Sequence, residues 1–290
     1  MYNMATRKVE EVAKPPRVVQ FCAGVACGGL VYSLGGWDKA LLTAVADVCT
    51  YNPDIDSWVD GPALPLAKWG MAAAEHMGCI YACGGYLVND PPLSGSLLMM
   101  DPRTRAWATL PTMPTLVTRT CAAVVAGRMY IPGGRARRTW TLPTLQCYDL
   151  VAGRWDTGCA PLAQAQARID HGVAAMHGEV WVVGGEDDDH DALASVVVYS
   201  PRLNTWRLGV SLPHAWCHGA CAVVECLGTS VSQVSYRHVG RVQVGGSCSP
   251  PPPHSAPPGH ISSRARNRAS APAAAVPQNP RSCGCDISNP

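Results

Sequence analysis

"VYSLGG" at residues 31–36 is a short apolar run that ends on two glycines, and its near-copies decide the fold. The phrase returns as "IYACGG" at 80–85, "MYIPGG" at 129–134 and "VWVVGG" at 180–185. The leading glycines, Gly35, Gly84, Gly133 and Gly184, are separated by 49, 49 and 51 residues. A period of this length marks a repeat architecture, in which each unit buries its apolar faces only against its neighbours.

Working outward from each pair, an aromatic or long apolar residue follows the second glycine by 14 or 15 positions, at Tyr51, Met100, Tyr148 and Tyr199. A tryptophan stands 7 residues further on every time, at Trp58, Trp107, Trp155 and Trp206. The segments between them, "NPDIDS", "DPRTRA", "DLVAGR" and "SPRLNT", carry the residues that reverse a chain, so each aromatic and its Trp flank a hairpin. Upstream of each glycine pair lies a run of small residues that breaks at a Gly-containing turn. Each unit therefore reads as four short antiparallel strands, which is one blade of a propeller. The glycine pairs Gly35 and Gly36, Gly84 and Gly85, Gly133 and Gly134, and Gly184 and Gly185 let neighbouring blades approach with no Cβ in the way. The bulky Trp residues suit the wide outer part of the tapering sheet, between blades.

This combination of Gly-Gly, Tyr, Trp and a basic residue that opens the next unit resembles the kelch repeat, which builds β-propellers. The resemblance covers residues 17–215 as four units, 17–67, 68–118, 119–167 and 168–215, opening at Arg17, Lys68, Arg119 and Arg168. Met100 stands where the family has Tyr, Lys68 where it has Arg, and Pro132 can donate no ladder hydrogen bond, so its strand should fray. The fold class is thus all-β, a kelch propeller of four recognisable blades, with residues 1–16 as an N-terminal linker and 216–246 as a degenerate partial fifth repeat. Residues 247–290 hold ten prolines in 44 positions with no apolar periodicity, and the sequence predicts a disordered tail. In Kelch-like proteins, which the repeats resemble most, BTB and BACK domains precede the propeller and connect it to a cullin-based ubiquitin ligase. Sixteen residues ahead of Arg17 are too few to contain them, so the resemblance carries recognition, not ligase recruitment, to this chain.

Bulk composition bounds the function further. A formal net charge of +2 with 15% charged residues offers no field for nucleic acid or an anionic membrane. No apolar run reaches membrane-spanning length and the N-terminus lacks a secretory h-region, so a cytoplasmic location is expected. Fourteen cysteines in 290 residues fall below the density of a disulfide scaffold, and many sit in strand-like runs where a thiol acts as a small hydrophobe.

In a blade, the turn after the glycine pair and the connection to the next blade open on one face. The segments after the glycine pairs share no pattern, as expected of recognition loops. The resemblance places protein partners on this face, and the candidate residues are Trp37, Asp38, Lys39, Tyr86, Asn89, Asp90, Arg135, Arg137, Arg138, Glu186, Asp187, Asp188, Asp189, His190 and Asp191. Arg135, Arg137 and Arg138 on one blade and the acidic run 186–191 on the next would form a bipolar rim, or a solvated charge run that neutralises itself. "EDDDHD" lacks the spacing of a calcium loop. His214, Cys217, His218, Cys221 and Cys226 resemble a zinc list, but strand alternation would put His218 on the face opposite Cys217, so no metal and no cofactor is expected. The leading function is a protein-interaction module that serves substrate recognition for a ubiquitin ligase. A cytoskeletal scaffold and a propeller enzyme of the copper-radical type stand as alternatives, with no catalytic set in the sequence to favour the enzyme. Self-association is the further partner expected, because an open fourth blade leaves an apolar face to cover.

Overall fold

A computed structural model describes residues 2–3, 8–88, 92–136, 141–219, 221–224 and 233–235. Four antiparallel sheets of four strands follow one another along the chain, each with its strands in sequence order. Blade 1 comprises Ala23–Cys27, Leu30–Asp38, Thr43–Asn52 and Ser57–Asp60, and blade 2 comprises Ala72–His76, Cys79–Cys83, Leu97–Asp101 and Ala106–Leu110. Blade 3 is built from Ala123–Val125, Arg128–Pro132, Leu145–Asp149 and Arg154–Asp156, and blade 4 from Gly172–Met176, Glu179–Val183, Val196–Ser200 and Thr205–Leu208. The innermost strands pack in succession, Ala23–Cys27 on Ala72–His76, then Ala123–Val125, then Gly172–Met176, which in turn meets Ala222–Val224. The fold is a four-bladed β-propeller. Beyond blade 4 the described residues hold a two-stranded pair, Ala222–Val224 with Gln233–Ser235, and no complete fifth blade. The only helical segment among the described residues is a 3-10 turn at Gln164–Gln166, and no helix there is long and apolar enough to cross a membrane.

The core lies between blades. Tyr32, Leu34 and Val48 of blade 1 share one cluster with Ile80, Leu98 and Met100 of blade 2. Met129, Ile131 and Tyr148 continue the pattern against Cys83 and Leu97, and Val180, Val182 and Tyr199 against Tyr130 and Cys147. On the far side of blade 4, Leu212 and Trp216 cover Val183, Val196 and Val198. Burial of this kind supplies the main stabilising term, since a blade alone has no second layer.

The glycine pairs act at these joints. A Cβ on Gly35, Gly84, Gly133 or Gly184 would lie less than 3.0 Å from the backbone oxygen of Lys68, Val117, Arg168 or Trp216, the strand entering the next blade. All eight glycines have positive φ. At the outer edge the four tryptophans are half-buried and not enclosed, because each forms part of an exposed fourth strand. Their indole N–H groups reach back one blade, to the carbonyls of Ala13, Pro62, Pro111 and Ala160, all at 2.8 Å. Three of the rings stack on the aromatic seven residues earlier, Tyr51, Tyr148 and Tyr199, with centroids 5.0 to 5.2 Å apart. Each Trp therefore ties its own hairpin to the linker that preceded it.

Pro132 behaves differently on its two sides. Its strand stays paired through Pro132 to Leu145, but the innermost strand of blade 3 has only three residues. Thr120 Oγ1 donates to the Pro132 carbonyl at 2.6 Å where the ladder stops.

Lys68 and Arg168 occupy equivalent places beneath the second glycine pair and the fourth, and both are fully buried. Lys68 Nζ donates to Ser96 Oγ at 2.7 Å. Arg119 does not share this role: Val117 takes the equivalent position in blade 3, and Thr144 Oγ1, which matches Ser96, is buried without a hydrogen-bond partner. Burial pulls the Lys68 ammonium down from 10.5 to about 8. Between those values the unfolded chain holds a proton that the folded chain has released, so Lys68 makes stability rise with pH across that window and penalises the fold below it. Urea denaturation of the protein and of Lys68→Met should show the difference in stability moving in favour of the natural residue by about 3 kcal/mol between pH 7 and 10.5. A difference that is flat with pH would mean that the ammonium is not desolvated.

Candidate functional site

The residues that enter each blade pair with those that leave its glycine pair: Gln20 with Trp37, Trp69 with Tyr86, Thr118 with Arg135, and Ile169 with Glu186. The residue after each entering position is left-handed, at Phe21, Gly70, Arg119, Asp170 and finally His218, with φ between 50 and 67°. Their backbones form a chain around the channel mouth: Gly70 N–H donates to Phe21 O, Arg119 to Gly70, Asp170 to Arg119 and His218 to Asp170, at 2.8 to 3.0 Å. Such φ values are costly for side-chain-bearing residues and are held by this ladder. The phenyl ring of Phe21 lies 6.3 Å from the His218 ring, so the last member stands beside the first.

The mouth has two chemically distinct halves. On blades 1 and 2, Trp69 packs against Phe21, Trp37 and Tyr86 with centroids at 5.4, 5.9 and 4.6 Å. These rings are half-buried, and Phe21 is 41% exposed. On blades 3 and 4, the Arg119 guanidinium pairs with Asp170 and stands 3.5 Å from Glu186 Oε2. His218 reaches both acids, with Nε2 at 3.2 Å from Asp170 Oδ2 and Nδ1 at 3.1 Å from Glu186 Oε1. His218 Nδ1 also lies 3.2 Å from Cys217 Sγ. Burial raises the Asp170 carboxyl above its ordinary range, against the pull of Arg119. The Cys217 thiol is pushed up to about 11, by burial first and by the Glu186 carboxylate next.

Of the residues expected from sequence, Trp37, Tyr86, Arg135 and Glu186 stand on this rim. Asp38 is turned to the fold: its Oδ1 accepts the N–H groups of Ala40 and Leu41, and Oδ2 accepts Arg17 at 2.8 Å. The Leu41 N–H, then Arg17, holds its carboxyl below the usual range despite partial desolvation. Lys39 is exposed on the same tight turn, so the first supposed loop is largely two long strands. The acidic segment curls around Asp187, whose Oδ1 accepts the N–H groups of Asp189 and Asp191, while His190 approaches Glu186 at 3.7 Å. Asp188 Oδ1 accepts the Thr141 N–H, so the loops of blades 3 and 4 meet there. Asn89, Asp90, Arg137 and Arg138 lie outside the described residues.

Sequence reasoning did not place Phe21, Trp69, Arg119 and Asp170 at the mouth, and it set Cys217 and His218 aside as a zinc list divided between two strand faces. The signal was present: Phe21, Gly70, Arg119, Asp170 and His218 are spaced by 49, 49, 51 and 48 residues, the rhythm of the glycines. The expected separation of His218 from Cys217 fails because φ at His218 is +56°, which ends the alternation of an extended strand.

A sequence-family model, the KLHDC2/KLHL20/DRC7 Kelch-repeats domain, matches residues 21–223. The chain belongs to the kelch-repeat family. It is similar to mouse Kelch-like protein 36, 27% identical over 206 residues, which covers 69% of this chain and 33% of that protein. Human Kelch-like protein 23 is 25% identical over 258 residues, covering 73% and 45% respectively. The chain thus spans between a third and a half of these kelch relatives. The solved structure of YjhT superposes with a TM-score of 0.63 at 15% identity, over 70% of this chain and 74% of that one, which shows the shared fold.

Proposed function

We propose that this kelch propeller is a protein-recognition module that receives a polypeptide segment across the channel mouth. The observation that carries the reading is the juxtaposition on one face of an aromatic cluster, Phe21, Trp37, Trp69 and Tyr86, with an ionic cluster, Arg119, Asp170 and Glu186. Aromatic surface supplies contact area at low entropic cost, and the charged half sets register and orientation. No catalytic step is assigned to the chain, and the partner is a protein, not nucleic acid or membrane. The similarity to Kelch-like proteins supports a finer reading, substrate selection for a cullin-based ubiquitin ligase within a longer cytoplasmic protein.

Displayed peptide libraries panned against the chain test the recognition reading. Selected peptides should lose about tenfold or more in affinity with Trp69→Ala, and charge reversal at Arg135 should weaken those with acidic side chains and flatten their salt dependence. Binders indifferent to both substitutions would place recognition elsewhere. The ligase reading needs a second measurement, the half-life of the cellular partner. Depletion of the full-length protein should lengthen that half-life, whereas a scaffold or cytoskeletal adaptor would leave it unchanged.

A further inference from the structure

We infer that Glu186, Cys217 and His218 form a binding site for a zinc-class divalent cation at the channel mouth. Their ligand atoms, a carboxylate oxygen, a thiol sulfur and an imidazole nitrogen, lie within 4.8 Å of one another. His218 Nδ1 is 3.1 Å from Glu186 Oε1 and 3.2 Å from Cys217 Sγ. The edges of a tetrahedral zinc site with sulfur, nitrogen and oxygen ligands are about 3.3 to 3.6 Å, so only small side-chain adjustments separate this arrangement from coordination.

The surroundings orient the ligands as an outer shell does. In the tautomer that carries its proton on Nε2, His218 donates to Asp170 Oδ2 at 3.2 Å and presents the Nδ1 lone pair to Glu186 Oε1, whereas Arg119 Nη2, 3.3 Å from Nε2, suits the other tautomer, in which Nδ1–H donates to Glu186. Metal binding selects the first tautomer, because the ion takes the place of the Nδ1 proton between His218 and Glu186. Asp170 is itself fixed by Arg119, completing a carboxylate, histidine and metal relay. Arg119 and His190 both approach the other Glu186 oxygen, Oε2, which leaves Oε1 for the site. Charge closes as well: two carboxylates and a thiolate are balanced by Arg119 and one divalent ion. The mixed ligand set with three protein donors fits zinc, whose fourth position falls to water, since the His218 side chain is 41% exposed. The other grouping of this kind, Cys147, Asp156 and Cys159, is less suited, because both Asp156 oxygens are already engaged by Arg128 and the Gly158 N–H.

Coordination here would fasten the segment that leaves blade 4 to the glycine loop of that blade. The test uses Co²⁺ as a spectroscopic probe on chelator-treated protein, followed by displacement with Zn²⁺. One equivalent should give a thiolate-to-cobalt band in the near ultraviolet and tetrahedral bands in the visible. His218→Gln and Cys217→Ser should each weaken uptake at least tenfold, and Asp170→Asn should weaken it by about 10- to 100-fold. Cys159→Ser should leave it unchanged. His218 is on the surface, so its variant keeps the test decisive even where Cys217→Ser folds poorly, and the metal-free melting temperatures check this. Bands that persist in His218→Gln, or that vanish in Cys159→Ser, would overturn the site and leave a proton as the only cation between Glu186 and His218.

Discussion

Gly184→Val is expected to cost about 5 kcal/mol, enough to unfold most of a protein whose total stability is of ordinary size, about 5 to 15 kcal/mol. Gly184 has φ of 60°, where a Cβ meets the following carbonyl, and this alone costs about 1 to 2 kcal/mol. The new Cβ would then lie less than 3.0 Å from the Trp216 backbone oxygen and from Trp216 Cε3, with the Leu193 oxygen at 3.3 Å. None of these atoms sits at the end of a flexible chain. Blade 4 would have to part from Trp216, which covers its far face, and overpacking of that kind adds about 1 to 3 kcal/mol before β-branching is counted. Gly178→Ala is the control: φ there is 75°, yet nothing lies within 4 Å of a new Cβ, so only the backbone penalty of about 1 kcal/mol should appear. Chemical denaturation of the two variants measures the difference. Equal losses would show that the glycine pair is needed for its dihedral angles and not for contact between blades.

That distinction bears on how much the sequence discloses. The 49-residue rhythm of Gly35, Gly84 and Gly133 is legible because every joint between blades needs the same absent side chain in the same place. Trp58, Trp107, Trp155 and Trp206 are legible for a like reason, since each carries one hydrogen bond back to an equivalent carbonyl. The basic residues are harder. Arg119 reads as the counterpart of Lys68 and Arg168, but it stands two positions further along and serves the mouth, while Val117 fills the buried place. A residue type cannot reveal that shift; the spacing from the glycines can. The candidate site was legible only in part, because the segments after the glycine pairs attract attention by length and charge. Half of the mouth comes instead from the entering residues Phe21, Trp69, Arg119 and His218, whose neighbours in sequence are ordinary strand residues. Left-handed backbone at Phe21, Gly70, Arg119 and His218 brings them together, and for side-chain-bearing residues local sequence gives no sign of it.

Arg168→Ala is expected to destabilise by about 4 kcal/mol, nearly as much as the glycine substitution, through a different mechanism. Arg168 is 1% exposed, and it donates to the backbone and to one hydroxyl: Nε to Gln166 O at 2.8 Å, Nη1 to Gly184 O at 2.9 Å and Ser195 O at 3.1 Å, and Nη2 to Ser195 Oγ at 3.1 Å. Burial lowers its pKa to about 10, so the charge is carried at a cost. The guanidinium nonetheless satisfies three carbonyls at once, one of them on Gly184 itself, because its donors fan out in a plane. Truncation would take the guanidinium donor from the buried Gly184 carbonyl beside a cavity and from the half-buried Gln166 carbonyl, while Ser195 O would keep the Gly184 N–H at 3.1 Å, and each lost partner is worth about 1 to 3 kcal/mol less whatever water enters to replace it. Arg168→Lys separates charge from geometry. It keeps the cation but presents its donors from one nitrogen, as Lys68 does to Ser96 in blade 2, and should recover about half of the loss. A lysine variant as unstable as the alanine one would assign the whole effect to the fork of the guanidinium. An alanine variant as stable as the natural protein would show that the joint between blades 3 and 4 is held by Gly133, Gly184 and their apolar neighbours alone.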